Sequence, residues 1–67
     1  MTVYDNIKGI CTERGLSIHE VEQKAGLGYA TIYHWQFSSP RLGTLAKVAI
    51  ALNVPIRMLI NGTEDER

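Results

Sequence analysis

The sequence has little cysteine, little proline, no net formal charge and no long apolar run. Its one cysteine, Cys11, excludes an intrachain disulfide and favours a reducing, intracellular setting. No segment approaches the roughly 20 consecutive apolar residues that cross a bilayer, and the N-terminus lacks the basic and apolar regions of a signal peptide. With 67 residues, the chain has the size of one small domain. We therefore expect a single soluble, cytoplasmic domain without a membrane partner.

Acidic residues are missing from the middle of the chain, although the whole chain has seven acidic and seven basic residues. Residues 23–63 contain no aspartate or glutamate, and they include Lys24, Arg41, Lys47 and Arg57. An anionic partner could approach this part of the molecule without like-charge repulsion. Because the charges are so few, a chance distribution explains the pattern equally well. Charge alone leaves both interpretations open.

The first third of the chain predicts two helices from the spacing of its apolar residues. The first helix has Thr2 or Asp5 as its N-cap and ends at Gly15. The second helix spans residues 18–25, because Ser17 begins a capping-box pattern.

Three further helices are predicted after a turn that begins at Gly26. The third helix spans residues 29–36, the fourth spans residues 42–52 and the fifth spans residues 56–60. Pro40 disfavours helix at the residue before it and so places a loop between the third and fourth helices. The sequence therefore predicts an all-α, five-helix domain over residues 1–62, followed by a charged tail at 63–67. The apolar positions with helical spacing in the first four helices and their connections are Val3, Ile7, Ile10, Cys11, Leu16, Val21, Ala25, Ile32, Trp35, Leu42, Leu45, Val48, Ala49 and Leu52.

The second and third predicted helices, joined by a three-residue turn, have the arrangement of a helix-turn-helix. Across residues 6–60 the pattern resembles the lambda repressor-like (Cro/C1, XRE-type) DNA-binding domains, and its spacings hold without a gap. The residues that carry the resemblance are Leu16, Ser17, Val21, Ala25, Gly26, Leu27, Thr31, Ile32, Trp35, Pro40, Leu45, Ala49, Ala51, Leu52, Val54 and Leu59.

The resemblance implies a set of DNA-contacting positions, since in such domains the third helix lies in the major groove. The side chains that it places against base edges are Tyr29, Ala30, Thr31, Tyr33 and His34. The side chains that it places at the DNA backbone are Ser17, Ser38, Ser39 and Arg41. Ser17 would lie near a phosphate because the N-terminus of a helix attracts anions.

The chain departs from the family pattern at several positions. Ile18 stands where a DNA-contacting glutamine is common, and Glu22 stands where a small residue usually lets the second and third helices approach. We expect the Glu22 carboxylate either to turn outward or to push these two helices apart. Cys11 and Gln36 replace an Arg–Glu pair, which predicts a buried, neutral contact between the first and third helices.

Several of these side chains also have a plainer interpretation. Cys11 fits a redox switch or a small core residue, and Trp35 fits ligand stacking or the core; we favour the core for both. The spacing of Cys11, His19 and His34 does not favour zinc, so no metal or other cofactor is expected. The predicted base-facing side chains fit ordinary exposed helix surface as well, and Arg41 fits an ordinary solvated charge.

We expect a DNA-binding transcriptional regulator, a small phage or bacterial repressor that occupies operator DNA as a homodimer. An enzyme is not expected, because no nucleophile is placed beside a base. The alternative is an antirepressor- or antitoxin-like protein-interaction regulator with weak or no DNA binding, which Ile18, Glu22 and the uncharged third helix favour. We place the dimer interface at the C-terminal helix and expect it to be small, so that the free protein is largely monomeric. The apolar residues considered for that interface are Val54, Ile56, Met58, Leu59 and Ile60.

Overall fold

The computed structural model describes residues 2–61, which contain helices and no strand. The helices are α1 (Val3–Arg14), α2 (Ile18–Ala25), a 3₁₀ helix (Tyr33–Gln36), α3 (Leu42–Leu52) and α4 (Ile56–Asn61). The predicted all-α class is confirmed. Among the described residues, however, four elements are α-helices and the third predicted helix is not. The predicted domain boundary at residue 62 and the tail at 63–67 lie outside the described residues.

Capping boxes begin the first two helices; the sequence predicts the one at Ser17, and for α1 it offers Thr2 or Asp5 as the N-cap, of which Thr2 is correct. The Asp5 backbone N–H donates to the Thr2 hydroxyl at 3.1 Å, and the Thr2 N–H donates to the Asp5 carboxylate at 3.2 Å. The Glu20 N–H donates to the Ser17 hydroxyl at 3.1 Å, and the Ser17 N–H donates to the Glu20 carboxylate at 2.7 Å. Each helix ends at its predicted glycine, with φ of 70° and 75°. The capping box at Ser17 and the left-handed Gly26 thus determine where α2 begins and ends.

The core lies between α1, α2, α3 and α4, with the 3₁₀ helix packed against α1. Two polar side chains of α1 close the core by donating to backbone carbonyls: Asn6 to Leu59 at 2.8 Å, and Arg14 to Leu52. Leu42 shares the helical spacing of the core residues but is 68% exposed. No helix among the described residues has the length and apolar character of a membrane span. The buried apolar residues are Ile7, Ile10, Cys11, Val21, Ile32, Trp35, Leu45, Val48, Ala49, Leu52 and Leu59.

The α-helix predicted over residues 29–36 does not form. Residues 29–32 are turns, and only residues 33–36 are helical, in the tighter 3₁₀ form. Ala30 has a φ of 66°, in the left-handed region, which is incompatible with a right-handed helix at that residue. The spacing of Ile32 and Trp35 nevertheless places both in the core, because three residues make one turn of a 3₁₀ helix.

The predicted buried contact between Cys11 and Gln36 is correct for Cys11 only. Cys11 is 2% exposed, whereas Gln36 is exposed and its side-chain amide donates to the Tyr33 carbonyl at 3.3 Å. Because the segment is not an α-helix, residue 36 does not occupy the inward position that α-helical spacing gives it.

Candidate nucleic-acid interface

The candidate interface consists of the N-terminal end of α2, the residues 29–36 and the loop at 37–41. We refer to residues 29–36 as the turn segment. It follows α2 after the left-handed turn at Gly26, and its buried side chains, Ile32 and Trp35, pack into the core. Its other side chains are exposed or half-buried.

The two tyrosines of the turn segment contact different helices. The Tyr29 side chain is 81% exposed, and its ring lies edge-to-face with the His19 ring of α2 at a centroid distance of 5.0 Å. The Tyr33 side chain is 49% exposed, and its ring packs edge-to-face with Tyr4 of α1 at 6.0 Å and with Phe37 at 6.0 Å. On one α-helix, residues 29 and 33 would be neighbours on the same face. Here each ring is supported by a different part of the fold.

The remaining predicted base-facing residues differ in exposure. Ala30 and Thr31 are half-buried, and the Thr31 hydroxyl donates to the Gly28 carbonyl at 2.8 Å. His34 is exposed, and its ring lies 6.1 Å from the Tyr33 ring. The side chains of Tyr29, Tyr33 and His34 are thus accessible to a partner, whereas Ala30 and Thr31 are less so.

Glu22 points inward and receives the backbone of the turn segment. It is 2% exposed, and its Oε1 accepts the Ala30 N–H at 3.1 Å while its Oε2 accepts the Ile32 N–H at 2.9 Å. The His19 Nδ1 lies 3.4 Å from Oε1. Both expectations for this residue are therefore wrong, because the carboxylate does not turn outward and no α-helix is present at residues 29–32 to be pushed away. Hydrogen bonds to charged acceptors offset the cost of burying the carboxylate.

The predicted backbone-facing residues form two groups. The side chains of Ser17 and Ser38 have internal hydrogen bonds, to the Glu20 N–H at 3.1 Å and to the His34 carbonyl at 3.3 Å. Ser39 and Arg41 are exposed, and the Arg41 side chain makes no hydrogen bond or ion pair with the described part of the chain. The Glu20 carboxylate already receives the Ser17 N–H, so the start of α2 is less open to a phosphate than the sequence suggests.

Two surface clefts border the turn segment. The first has a volume of about 400 Å³ and combines aromatic walls with the Glu22 carboxylate. The second, of about 370 Å³, lies between the start of α1 and the loop at 37–41. Residues 2–61 contain no group of three His, Cys, Asp or Glu side chains that could hold a metal ion. The first cleft is lined by Tyr4, Ile18, His19, Glu22, Tyr29, Ala30 and Tyr33.

Three residues of this region are not among the sequence-predicted site residues. Tyr4 supports the ring of Tyr33, His19 supports the ring of Tyr29, and Glu22 binds the backbone between them. Glu22 lies four residues after Ile18 and three before Ala25, so the sequence does place an acid on one face of α2 with two apolar residues. Its acceptors, however, meet amides eight and ten residues away, and only the fold brings these together.

Helix α2, the turn that begins at Gly26 and the 3₁₀ helix follow one another in the order of a helix-turn-helix. The family model for the Cro/C1-type HTH DNA-binding domain matches residues 6–61, and the chain belongs to this family. A search of curated proteins and a search of solved structures returned no match. Domains of this family are typically not enzymes.

Proposed function

We propose that this protein is a transcriptional regulator, a small Cro/C1-type repressor that acts in the cytoplasm by occupying operator DNA. The observation that carries the proposal is the exposed face of residues 29–41, which contains no acid and ends at an unpaired Arg41 among the described residues. Membership of a family of DNA-binding domains supports the same proposal.

In this proposal the turn segment reads the bases. Tyr29, Tyr33 and His34 provide hydroxyl and imidazole groups, and the Ala30 and Thr31 methyl groups suit contacts with thymine methyl groups. The segment has no arginine, lysine or asparagine for a bidentate contact with guanine or adenine, and its one glutamine is at its end. We therefore expect modest discrimination between sequences rather than dependence on one strong contact.

The predicted backbone-facing residues bind the DNA backbone in this proposal. Arg41 provides the charge, and Ser38 and Ser39 lie beside it on the loop after the turn segment. Ser17 belongs to the same group, although its engagement with Glu20 favours a weaker contact. Contacts of this kind fix the position of the protein and carry no sequence information.

Binding measurements can separate the two groups. Arg41→Ala should weaken binding to all duplexes alike and lower the salt dependence of binding by about one unit, because one phosphate contact is lost. Tyr29→Ala, Tyr33→Ala and His34→Ala should instead change which base pairs are preferred, by roughly 1–3 kcal/mol at the affected position. The measurement is equilibrium binding to matched and mismatched duplexes, found by selection from random DNA, at two salt concentrations.

Lys47→Ala is the matched control for Arg41→Ala. It removes one positive charge from an exposed position of the same acid-free stretch, outside the proposed backbone contacts. The turn segment is not the DNA-binding face if every duplex is bound as by the wild type in all of these variants: Tyr29→Ala, Tyr33→Ala, His34→Ala and Arg41→Ala.

The second candidate function is protein interaction on the same fold. Phe37, the first residue of the loop, and Leu42, which follows the loop, are 74% and 68% exposed, and DNA binding does not require these apolar side chains. An antirepressor- or antitoxin-like regulator would use this surface to bind another protein. Duplex binding that is absent, or that does not weaken as salt rises, would favour this candidate, since phosphate contacts release counterions.

We also propose that two copies bind one operator through a small interface on α4. Leu59 is fully buried in the core of one copy and is not available to a second copy. Val54 and Ile56 pack partly against the same core. Met58 is half-buried and Ile60 is 46% exposed, so these two offer the remaining apolar surface of α4.

A further inference from the structure

Glu22 differs from an ordinary surface acid because it is buried and hydrogen-bonded to the backbone of another segment. Its carboxylate is almost completely buried, and both of its oxygens accept backbone N–H groups of the turn segment, at 3.1 Å from Ala30 and 2.9 Å from Ile32. Burying a carboxylate costs free energy unless its oxygens accept hydrogen bonds. Moving these two amides away from Glu22 would therefore destabilise the fold.

The two amides belong to the part of the turn segment that is not helical. Ala30, which carries the first of these amides, has a φ of 66°, which L side chains rarely adopt. In an α-helix starting at residue 29, these amides would be among the first four, which lack partners inside the helix. Glu22 gives them partners from a neighbouring helix, and it does so in a backbone conformation other than the α-helix.

This conformation determines where the exposed rings lie. With the carboxylate bound to residues 30 and 32, the Tyr29 ring packs on His19 of α2 and the Tyr33 ring packs on Tyr4 of α1. The two rings border one cleft of about 400 Å³, whose lining also includes Ala30 and Glu22. A regular α-helix would instead place both tyrosines on one face, one turn apart.

We infer that Glu22 is a positioning residue that determines the base preference of this protein, by holding the turn segment in its non-α-helical conformation. The inference rests on the proposed DNA-reading role of that segment. Glu22 itself does not touch a base, because it is buried; it sets which side chains can do so.

The first test is made on the free protein and does not depend on DNA. In ¹⁵N-labelled wild type, the amide protons of Ala30 and Ile32 should be shifted downfield by their bonds to a carboxylate. Glu22→Gln keeps the shape of the side chain but leaves only one acceptor oxygen, so at least one of the two amide signals should move upfield. Unchanged signals in folded Glu22→Gln would overturn the inference.

The second test measures base preference. Sequences bound by wild type, Glu22→Gln and Glu22→Ala are selected from random DNA, and affinities for the wild-type site and its single-base variants are compared. We expect the discrimination at one or more positions to change by roughly tenfold, the size of one base contact. The salt dependence should stay the same, because no phosphate contact is removed.

Glu20→Gln is the matched control. It removes the same charge two residues away on α2, from an exposed side chain that caps its own helix. Its base preference should equal that of the wild type. If Glu22→Ala does not fold, the isosteric Glu22→Gln decides the test alone.

The outcomes for the inference and for the proposed function are distinguishable. Base preferences that are identical in wild type and in the folded Glu22 variants overturn the inference and leave the proposed function standing. Absence of duplex binding by the wild type overturns the proposed function and the reading role of Glu22 with it. The amide shifts then still report whether the carboxylate holds the turn segment.

Discussion

Cys11 occupies a core position on α1 that suits a small, neutral side chain. It is 2% exposed. Gln36, its predicted partner, is exposed and uncharged, so it could not compensate a charge at residue 11. Cys11→Arg should lower the free energy of unfolding by about 3–5 kcal/mol, because an unpaired charge would be buried. Thermal or urea unfolding measures the effect. Cys11→Ala is the control, and equal stability of the two variants would contradict the prediction.

The same residue predicts a pH dependence. Burial raises the pKa of the Cys11 thiol above its ordinary value of 9.0, so the folded protein keeps the proton where the unfolded chain loses it. The stabilisation from the neutral thiol is present below pH 9 and is lost as the pH rises above it. Wild type should therefore lose more stability than Cys11→Ala between pH 8 and about pH 10. Parallel stability curves for the two proteins would argue against a buried thiol.

At the scale of elements, the turn segment differs from the α-helix that its sequence predicts. Ala30→Gly should stabilise the protein by about 1 kcal/mol, because glycine adopts a positive φ without steric cost. If residues 29–36 formed an α-helix, the same change would cost about 1 kcal/mol. The sign of the effect in chemical denaturation therefore distinguishes the two conformations.

Ala46→Gly provides the comparison for that experiment. Ala46 is half-buried within α3, a regular α-helix, so its replacement by glycine should destabilise the protein by about 1 kcal/mol. Destabilisation by both substitutions would contradict the left-handed conformation of Ala30.

At the scale of the whole molecule, one copy offers only a short reading element and few positive charges. We expect two copies to bind a palindromic duplex with half-sites about 34 Å apart, one turn of DNA. Ile60→Asp should weaken this two-to-one complex by placing a charge on the exposed face of α4. Sedimentation of the protein with the duplex measures the stoichiometry.

Ile50→Asp tests whether the interface is confined to α4. Ile50 is 78% exposed on α3, outside the proposed interface, and its substitution should leave the stoichiometry unchanged. A one-to-one complex of the wild type on the palindromic duplex would exclude the dimer.

The local sequence determined most of the fold. Capping residues, left-handed glycines and apolar spacing depend on neighbours within a few positions, so α1, α2 and α3 begin and end near their predicted residues. The core positions of Val21, Ile32 and Trp35 follow from the same spacing. The family also follows from a pattern that is spread along the chain and requires no coordinates.

Only the tertiary structure decided the conformation of the turn segment. Ile32 and Trp35 are three residues apart, and this spacing places both side chains on one face of either an α-helix or a 3₁₀ helix. Apolar spacing therefore does not distinguish the two forms in the turn segment. What distinguishes the forms is the Glu22 carboxylate, which meets the amides of Ala30 and Ile32 across the fold. The same long-range contacts place Tyr29 on His19 and leave Gln36 exposed. A buried charge takes its partners from whatever the fold brings within hydrogen-bonding distance, and sequence spacing does not encode that distance.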